Sequence, residues 1–498
     1  LISLSLQLKE PNVLEELRDH LRHRREKLQK LRELGIDPYP RKFEKTHHTS
    51  EILDDSENLE TSGETVRVAG RLTSSRPHGK TTFAHLQDGH GKIQIYLRKD
   101  DLEEERFDLF GLTDLGDFLG VTGKVFKTRT GEVTIMVSDW QILSKSLRPL
   151  PEKWHGLADK ELRYRKRHLD LIANPEVREV FVKRNKIISV IRNFLDSRGY
   201  LEVETPILQP LYGGAFADPF VTHHKALDLP LYLRIADELY LKRLLVGGYE
   251  RVYEFCKDFR NEGMDRTHSP EFSMVELYQA YADYNDVMEL LEAMLVRVSR
   301  EVLGTTSFEY QEQQVELSPP FRRTPFYEAI EEVCGVRAKD MGLEDLKRAA
   351  EGAGVETGKE KSRGKMLETI FESLVQPTLV QPTFITDYPV EISPLAKRHP
   401  REESLTERFE LFIATLEIGN AFSEQNDPLE QRARLEEQRD ESGSGEPLDE
   451  DFLEALEVGM PPCGGLGIGI DRVVMLFTNS RSIRDVIFFP TMRPESKS

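Results

Sequence analysis

The stretch FRNEGMDRTHSPEF, residues 259–272, sets Arg260, Glu262, Arg266, His268 and Glu271 between Phe259 and Phe272. An arginine fork binds two oxygens of a phosphate or carboxylate at once. A phenylalanine beside it offers a stacking face to a purine, and a glutamate such as Glu262 can accept from an exocyclic amine. The flanking segments RVYEFCKDF and EFSMVELYQAY read as two antiparallel strands. Period-two geometry puts Phe272, Met274, Glu276 and Tyr278 on one face, and Glu254, Asp258 and Arg260 on one face of the other strand. Closing the hairpin brings Arg260 beside Phe272. On these residues alone two readings stand, a nucleotide site and a surface ion-pair cluster.

Such a hairpin needs a scaffold. A chain of 498 residues has room for two to four domains. With 38% hydrophobic and 31% charged residues it is expected to be soluble and globular. No apolar run reaches the roughly 18 residues of a membrane span, and the opening LISLSLQLKEP lacks the basic region of a signal peptide. Cys256, Cys334 and Cys463 are scattered, so neither a disulfide framework nor a zinc site is expected, and the cytoplasm is the default location. A net charge of −19 argues against indiscriminate nucleic-acid binding but not against a specific partner. Residues 17–32 run the other way. Leu17, Leu21, Leu28 and Leu31 fall at helical spacing, with Arg18, Arg22, Arg24, Arg25, Lys27, Lys30 and Arg32 around them. That basic face is either solvated or placed against an RNA backbone.

The order of elements suggests four parts. Residues 1–62 form an N-terminal helix and an extended polar connector; 63–146 are short glycine-punctuated strands, the pattern of a small barrel; 147–175 form a linker. Residues 176–498 open with a long amphipathic helix and a strand around Pro206. Strand-rich blocks follow at 231–282, 384–393, 408–424 and 463–476, with a helical insertion at about 326–376. The pattern predicts an α+β domain on a largely antiparallel sheet. Residues 429–447 end in a flexible Gly/Ser patch. Two nucleotide signatures fail. RPHGKTT has the tail of a P-loop, but Ser74 stands where its first glycine belongs. CGGLGIGIDR, with Gly464, Gly465, Gly467 and Gly469, admits no G-x-G-x-x-G and follows no strand.

Three motifs in order carry a resemblance. FRNEGMDRTHSPEFSMVELY resembles motif 2 of the class II aminoacyl-tRNA synthetases; RGYLEVETPIL, with Pro206, resembles motif 1, and GLGIGIDRVVMLF resembles motif 3. The class I signatures HIGH and KMSKS are absent. From about residue 14 onward the chain is most similar to the bacterial lysyl-tRNA synthetase branch, through RYRKRHLDL, YLRIADELYLKRLLVGGYERV, QPTFITDYP and RFELFIATLEIGNAFSEQNDP. The fold this implies is multidomain: an N-terminal OB-fold β-barrel that binds the anticodon, plus an α+β class II synthetase catalytic domain built on an antiparallel sheet.

The resemblance also implies roles. Arg260 would clamp the α-phosphate and the amino-acid carboxylate, Arg472 the γ-phosphate; Glu262, His268 and Gly469 would flank ATP, and Phe272 would stack on adenine. The substrate carboxylate attacks, pyrophosphate leaves, and the tRNA 3′ hydroxyl takes the acyl group, so no protein nucleophile is needed. Glu410 and Glu417 would hold Mg²⁺. For L-lysine, Glu424 and Tyr278 would meet the ε-ammonium, with Phe422 along the stem and Glu276 in the wall. Glu238 and the Gly214 backbone would meet the α-amine, and Asn420 would assist Arg260. Phe83, Gln94 and Glu132 would read the central uridine of the tRNA(Lys) anticodon, and motif 1 would build a homodimer. A hairpin turning at Ala414-Thr415 pairs 412 with 417 and points Asn420, Phe422 and Glu424 away from Glu410 and Glu417. One shared pocket therefore requires a bulge near Gly419. An aspartyl or asparaginyl specificity is disfavoured by Glu424, a ligase acting on a translation factor by the barrel. A non-catalytic relative is disfavoured by the presence of Arg260, Arg472 and the acidic pair.

Overall fold

The structure, a computed structural model, describes residues 11–150, 157–215, 217–358, 360–442 and 448–494. The Gly/Ser patch, at 443–447, lies outside the described residues. Two compact units meet in sequence between Leu162 and Arg163.

In the first unit, β1 (Thr65–His78), β2 (Thr81–Gln87), β3 (Lys92–Arg98), β4 (Phe118–Lys127) and β5 (Val133–Ser144) close a barrel in the order β1-β2-β3-β5-β4. Alternate residues such as Ile93, Ile95 and Leu97 fill it. The basic helix spans Pro11–Glu33, but its basic face is divided. Arg24 is buried and donates to the carbonyls of Leu115, Ser146 and Arg148, each at 3.0 Å, and Lys27 pairs with Asp114 at 2.8 Å. Arg18, Arg22, Arg25, Lys30 and Arg32 remain exposed. The connector is not simply extended: helices Thr49–Asp54 and Ser56–Ser62 insert Ile52 and Leu59 into the barrel core. One apolar anchor in each helix, not composition, decides that.

The second unit is built on an eight-stranded sheet in the order β14-β15-β18-β19-β20-β11-β10-β6. Its strands are β6 (Leu201–Glu202), β10 (Arg251–Phe259), β11 (Glu271–Ala280), β14 (Arg322–Pro325), β15 (Thr383–Thr386), β18 (Arg408–Ile413), β19 (Leu416–Ser423) and β20 (Cys463–Gly469). The six central strands are antiparallel as expected, while β6 and β14 add parallel pairs at the edges. Smaller pairings use β7 (Leu208–Gln209), β8 (Val221–His224) and β9 (Leu229–Leu233), then β12 (Ser307–Tyr310) with β13 (Gln313–Glu316), and β16 (Arg398–His399) with β17 (Glu402–Thr406).

Helices Pro175–Asp196, Tyr284–Leu303 and Ile470–Thr478 pack their apolar sides on one face of the sheet. The insertion, with helices Phe326–Cys334, Leu343–Gly352 and Arg363–Ile370, carries its own core around Phe326, Leu367 and Phe371.

Several expectations change in detail. The block 463–476 is strand only to Gly469, after which Ile470–Thr478 is helical. Block 231–282 contains helix Glu238–Val246, and 384–393 holds a strand only to Thr386. The strand around Pro206 is two short pieces, β6 and β7, on either side of it. The segment read as a linker is helical from Lys160. Arg167 is buried and donates to Asp170 and to the carbonyls of Arg484, Ile487 and Phe488, so this end is built into the second unit.

Candidate active site

The face of the sheet away from the three helices carries a cleft of about 920 Å³. Its floor follows from β20. Cβ atoms at Gly465 and Gly467 would meet Tyr278 and Met274 respectively, whereas one at Gly464 would meet Val287 on the helix side. The glycines thus leave room above the sheet, while Leu466 and Ile468 fill the core below. Gly465 pairs with Tyr278 and Phe422, and Gly467 pairs with Glu276 and Asn420, which sets the side chains of β11 and β19 around that space.

The β18–β19 hairpin turns at Ala414 and Thr415, both at positive φ (49° and 67°). Phe412 pairs with Glu417, Leu411 with Gly419 and Glu410 with Asn420, so Ile418 is the extra residue of a bulge. The bulge predicted from parity is there. It puts Glu410, Glu417, Asn420 and Phe422 on one face.

One end of the cleft is cationic. Arg472, near the start of helix Ile470–Thr478, donates to Glu417 at 2.9 Å and to His268 Nε2 at 3.2 Å. An arginine can only donate, so Nε2 accepts and the proton sits on Nδ1, facing Asp265 at 2.8 Å. Asp265 also accepts from the amides of Thr267 and His268, which ties the 264–267 tip into a turn. These bonds outweigh partial burial and draw the Asp265 carboxyl down to about 2. Arg260 lies over the Phe272 ring, 5.1 Å to its centre, and reaches toward the Ile235 carbonyl at 3.4 Å. Glu262 and Gly469 line the mouth; Arg266 is exposed and does not line the cleft. Asp471 ties the region together, accepting from Arg184 at 2.6 Å and from the Ser273 amide at 2.8 Å.

Between the ends stands the acidic pair. Burial raises both carboxyls, but Arg472 overcomes it at Glu417, which lies below its ordinary value. Glu410 stays raised, to about 7, with burial and Glu417 pushing up against Arg408. Arg408 donates to Glu410 at 2.6 Å and Tyr388 donates to its other oxygen at 2.9 Å, whereas Glu417 lines the cleft.

The other end is anionic. Glu238, Glu276, Tyr278, Phe422 and Glu424 line it, with Gly214 beside Glu238. Gly214 sits at φ 85°, a backbone that favours glycine, and a Cβ there would lie 3.2 Å from that of Ala236. Tyr278 donates to Glu276 at 3.3 Å. Burial raises Glu276 well above the usual carboxylate range, helped by Asp237 and Asp258. Burial, with Asp258 and Glu254, lifts Asp237 to about 7, while Arg234 and Arg260 limit the rise of Asp258 to about 6.

The sequence reading missed three of these partners, Lys242, Arg408 and Asp237, whereas parity had placed Asp258 on the face of Arg260. Lys242 is the most consequential, because its ammonium is wholly buried and pairs with both Glu238, at 2.5 Å, and Glu424. Its spacing was visible, four residues after Glu238 on one helix.

A family model described as tRNA synthetases class II (D, K and N) matches residues 159–493, more than half of the chain. The chain belongs to that family. Residues 66–143 match the OB-fold nucleic acid binding domain, the barrel described above. Among curated relatives, the lysine–tRNA ligase of Pelotomaculum thermopropionicum is 56% identical, with 96% of each chain covered. That of Moorella thermoacetica is 55% identical over 97% of this chain and 100% of its own, and that of Bacillus subtilis 51% over 96% and 98%.

The barrel of this class II synthetase also collects its candidate residues. Phe83 and His85 pair across strands with Tyr96 and Gln94. Gln94 donates to Glu132 at 2.8 Å, His85 meets the other Glu132 oxygen at 2.9 Å, and the Phe83 and Tyr96 rings lie 4.5 Å apart. His85 and Tyr96 were not foreseen, though the register alone brings them there.

Proposed function

We propose that this synthetase activates L-lysine with ATP and transfers it to tRNA(Lys) in cytoplasmic protein synthesis. The observation that carries the reading is the polarity of the cleft. Arg260 and Arg472 stand near one end, and Glu238 and Glu424 at the other. Glu424 lies seven positions after Glu417, just past the end of β19, roughly 20 Å along the chain. A nucleotide triphosphate at the cationic end and a cationic side chain at the anionic end fit that span. An aspartate or asparagine ligand would leave Glu424 unanswered.

In this reading Arg260 orients the lysine carboxylate against the α-phosphate and stabilises charge as the bond to pyrophosphate breaks. Arg472 and His268 hold the terminal phosphates, Glu262 and Gly469 border the nucleotide, and Phe272 stacks under adenine. Asn420 steadies the carboxylate, Gly214 and Glu238 take the α-amine, and Phe422 lines the methylenes. Glu424 and Tyr278 receive the ε-ammonium, with Glu276 behind them. Glu410 and Glu417 are hard oxygen donors, close enough that Glu417 raises Glu410, and fit Mg²⁺. Bound there, Mg²⁺ would neutralise phosphate charge and supply Lewis acidity. Phe83, Gln94 and Glu132 would stack on and read an anticodon base. A homodimer through motif 1 is supported by exposed apolar residues around it, namely Val182, Leu201, Ile207 and Leu208.

ATP–pyrophosphate exchange run separately with lysine, aspartate and asparagine tests the reading. Exchange is expected with lysine alone. Preference for either other amino acid would overturn it.

A further inference from the structure

Lys242 lies behind the anionic end of the cleft and does not line it. Its ammonium is fully buried between Glu238 and Glu424, with the rings of Phe422 and Phe452 at 5.5 and 5.9 Å. Burial presses it toward the neutral form, but the two carboxylates prevail and hold it charged. Glu424 is buried as completely, and its Oε1, the oxygen not turned to Lys242, has no hydrogen-bond partner among the described residues. That oxygen occupies space open only because residue 465 is a glycine: a Cβ there would lie 2.0 Å away.

We propose that Lys242 is a positioning residue for substrate selection. Its ammonium holds one oxygen of Glu424 and one of Glu238, and leaves the second Glu424 oxygen, fixed in place, as the seat for the substrate ammonium. This deepens the lysine-activation reading and rests on it. Without a cation behind it, a carboxyl this buried would bind a proton in place of a ligand. Burial, helped by Glu238, keeps Glu424 raised to about 8, and Lys242 is what limits the rise. The other titratable groups facing Glu424 cannot replace it. Glu238, on the same helix as Lys242, pushes Glu424 the same way as burial. Tyr278 and Glu276, on β11, are held neutral by burial. Cys463, on β20, is likewise raised. Lys397, on the segment whose Ala396 bridges to Glu424, turns its ammonium to Asn426 at 2.5 Å. Lys242 is the cation in contact.

The variant to make is Lys242→Met, which keeps length against the two rings and removes the charge; Lys242→Gln is the alternative should the first not fold. Removing an opposite charge at contact raises a carboxyl pKa by about 1 to 3, so the lysine KM near pH 7 should rise about tenfold or more. The KM for ATP and kcat should change little. The deficit should narrow as pH is raised, because base favours the ionised form of Glu424. In a Glu424→Gln background the same substitution should not raise the lysine KM further.

An unchanged lysine KM with an unmoved acid limb would overturn the proposal. So would a lower lysine KM, which would mark Lys242 as a competitor, or an equal loss for ATP and lysine at every pH, which would mark it as merely structural. If the wild type shows no lysine-dependent exchange, the activity reading falls as well; if it is active and Lys242→Met matches it, only Lys242 fails.

Discussion

Glu424→Gln removes one charge and almost no volume. In the native pocket Glu424 and Lys242 are both 0% exposed, and Lys242 retains Glu238 at 2.5 Å after the substitution. The protein therefore loses no buried cation to an unpaired state, and the fold should survive with a melting temperature a few degrees from wild type. Binding fares differently. Glu238 and Lys242 would cancel, so the anionic end would hold no net charge for a second ammonium. Taking one partner from a buried charge pair costs about 3–5 kcal/mol, which is roughly a hundred- to several-thousand-fold. The ε-ammonium is far from the bond that breaks, so ground state and transition state suffer alike and the loss should fall mainly on KM. Lysine-dependent ATP–pyrophosphate exchange, with thermal melting as the folding control, measures it. A folded variant within threefold of wild-type kcat/KM would refute the assignment of Glu424 and the charge arithmetic behind it.

Gly465→Ala should raise the lysine KM with little effect on ATP, since its methyl would sit 2.0 Å from Glu424 Oε1; equal effects on both substrates would refute the glycine floor. Phe83→Ala removes a stacking face on the barrel, worth about 1–3 kcal/mol per base. It should raise the tRNA KM and leave pyrophosphate exchange intact; damage to both would contradict the division of labour. Asp237 binds its proton more tightly folded than unfolded, its pKa rising from an ordinary 3.8 to about 7. Stability is then fully kept below about 3.8 and lost as pH climbs through 7. Asp237→Asn should therefore melt higher than wild type at pH 8 and not at pH 4, and a pH-independent difference would sink that account.

The sequence exposed the parts of the site fixed by strand parity. Arg260 over Phe272, Glu276 with Tyr278, and the bulge at Ile418 all follow from counting in twos along two hairpins. The barrel was legible for the same reason. Lys242 escaped because helical spacing relates it only to Glu238, whereas Glu424 comes from a strand 182 positions later, joined by tertiary packing. Arg408 and Asp237 escaped because a charge beside another charge looks solvated until burial is known. Helices Thr49–Asp54 and Ile470–Thr478 were misread where polar or glycine-rich composition hid a few anchoring apolar residues.

The extra residue at Ile418 has an evolutionary reading. Glu410 and Glu417 lie before or across from it, and Asn420, Phe422 and Glu424 lie after it. Deleting the codon for Ile418 would change none of these side chains, yet would turn the last three toward the helix layer and bury Gly419's neighbours in the wrong environment. Substitutions can drift through this hairpin one at a time; single-residue indels cannot. Length variation among functional descendants should therefore be confined to the Ala414-Thr415 tip, in steps of two.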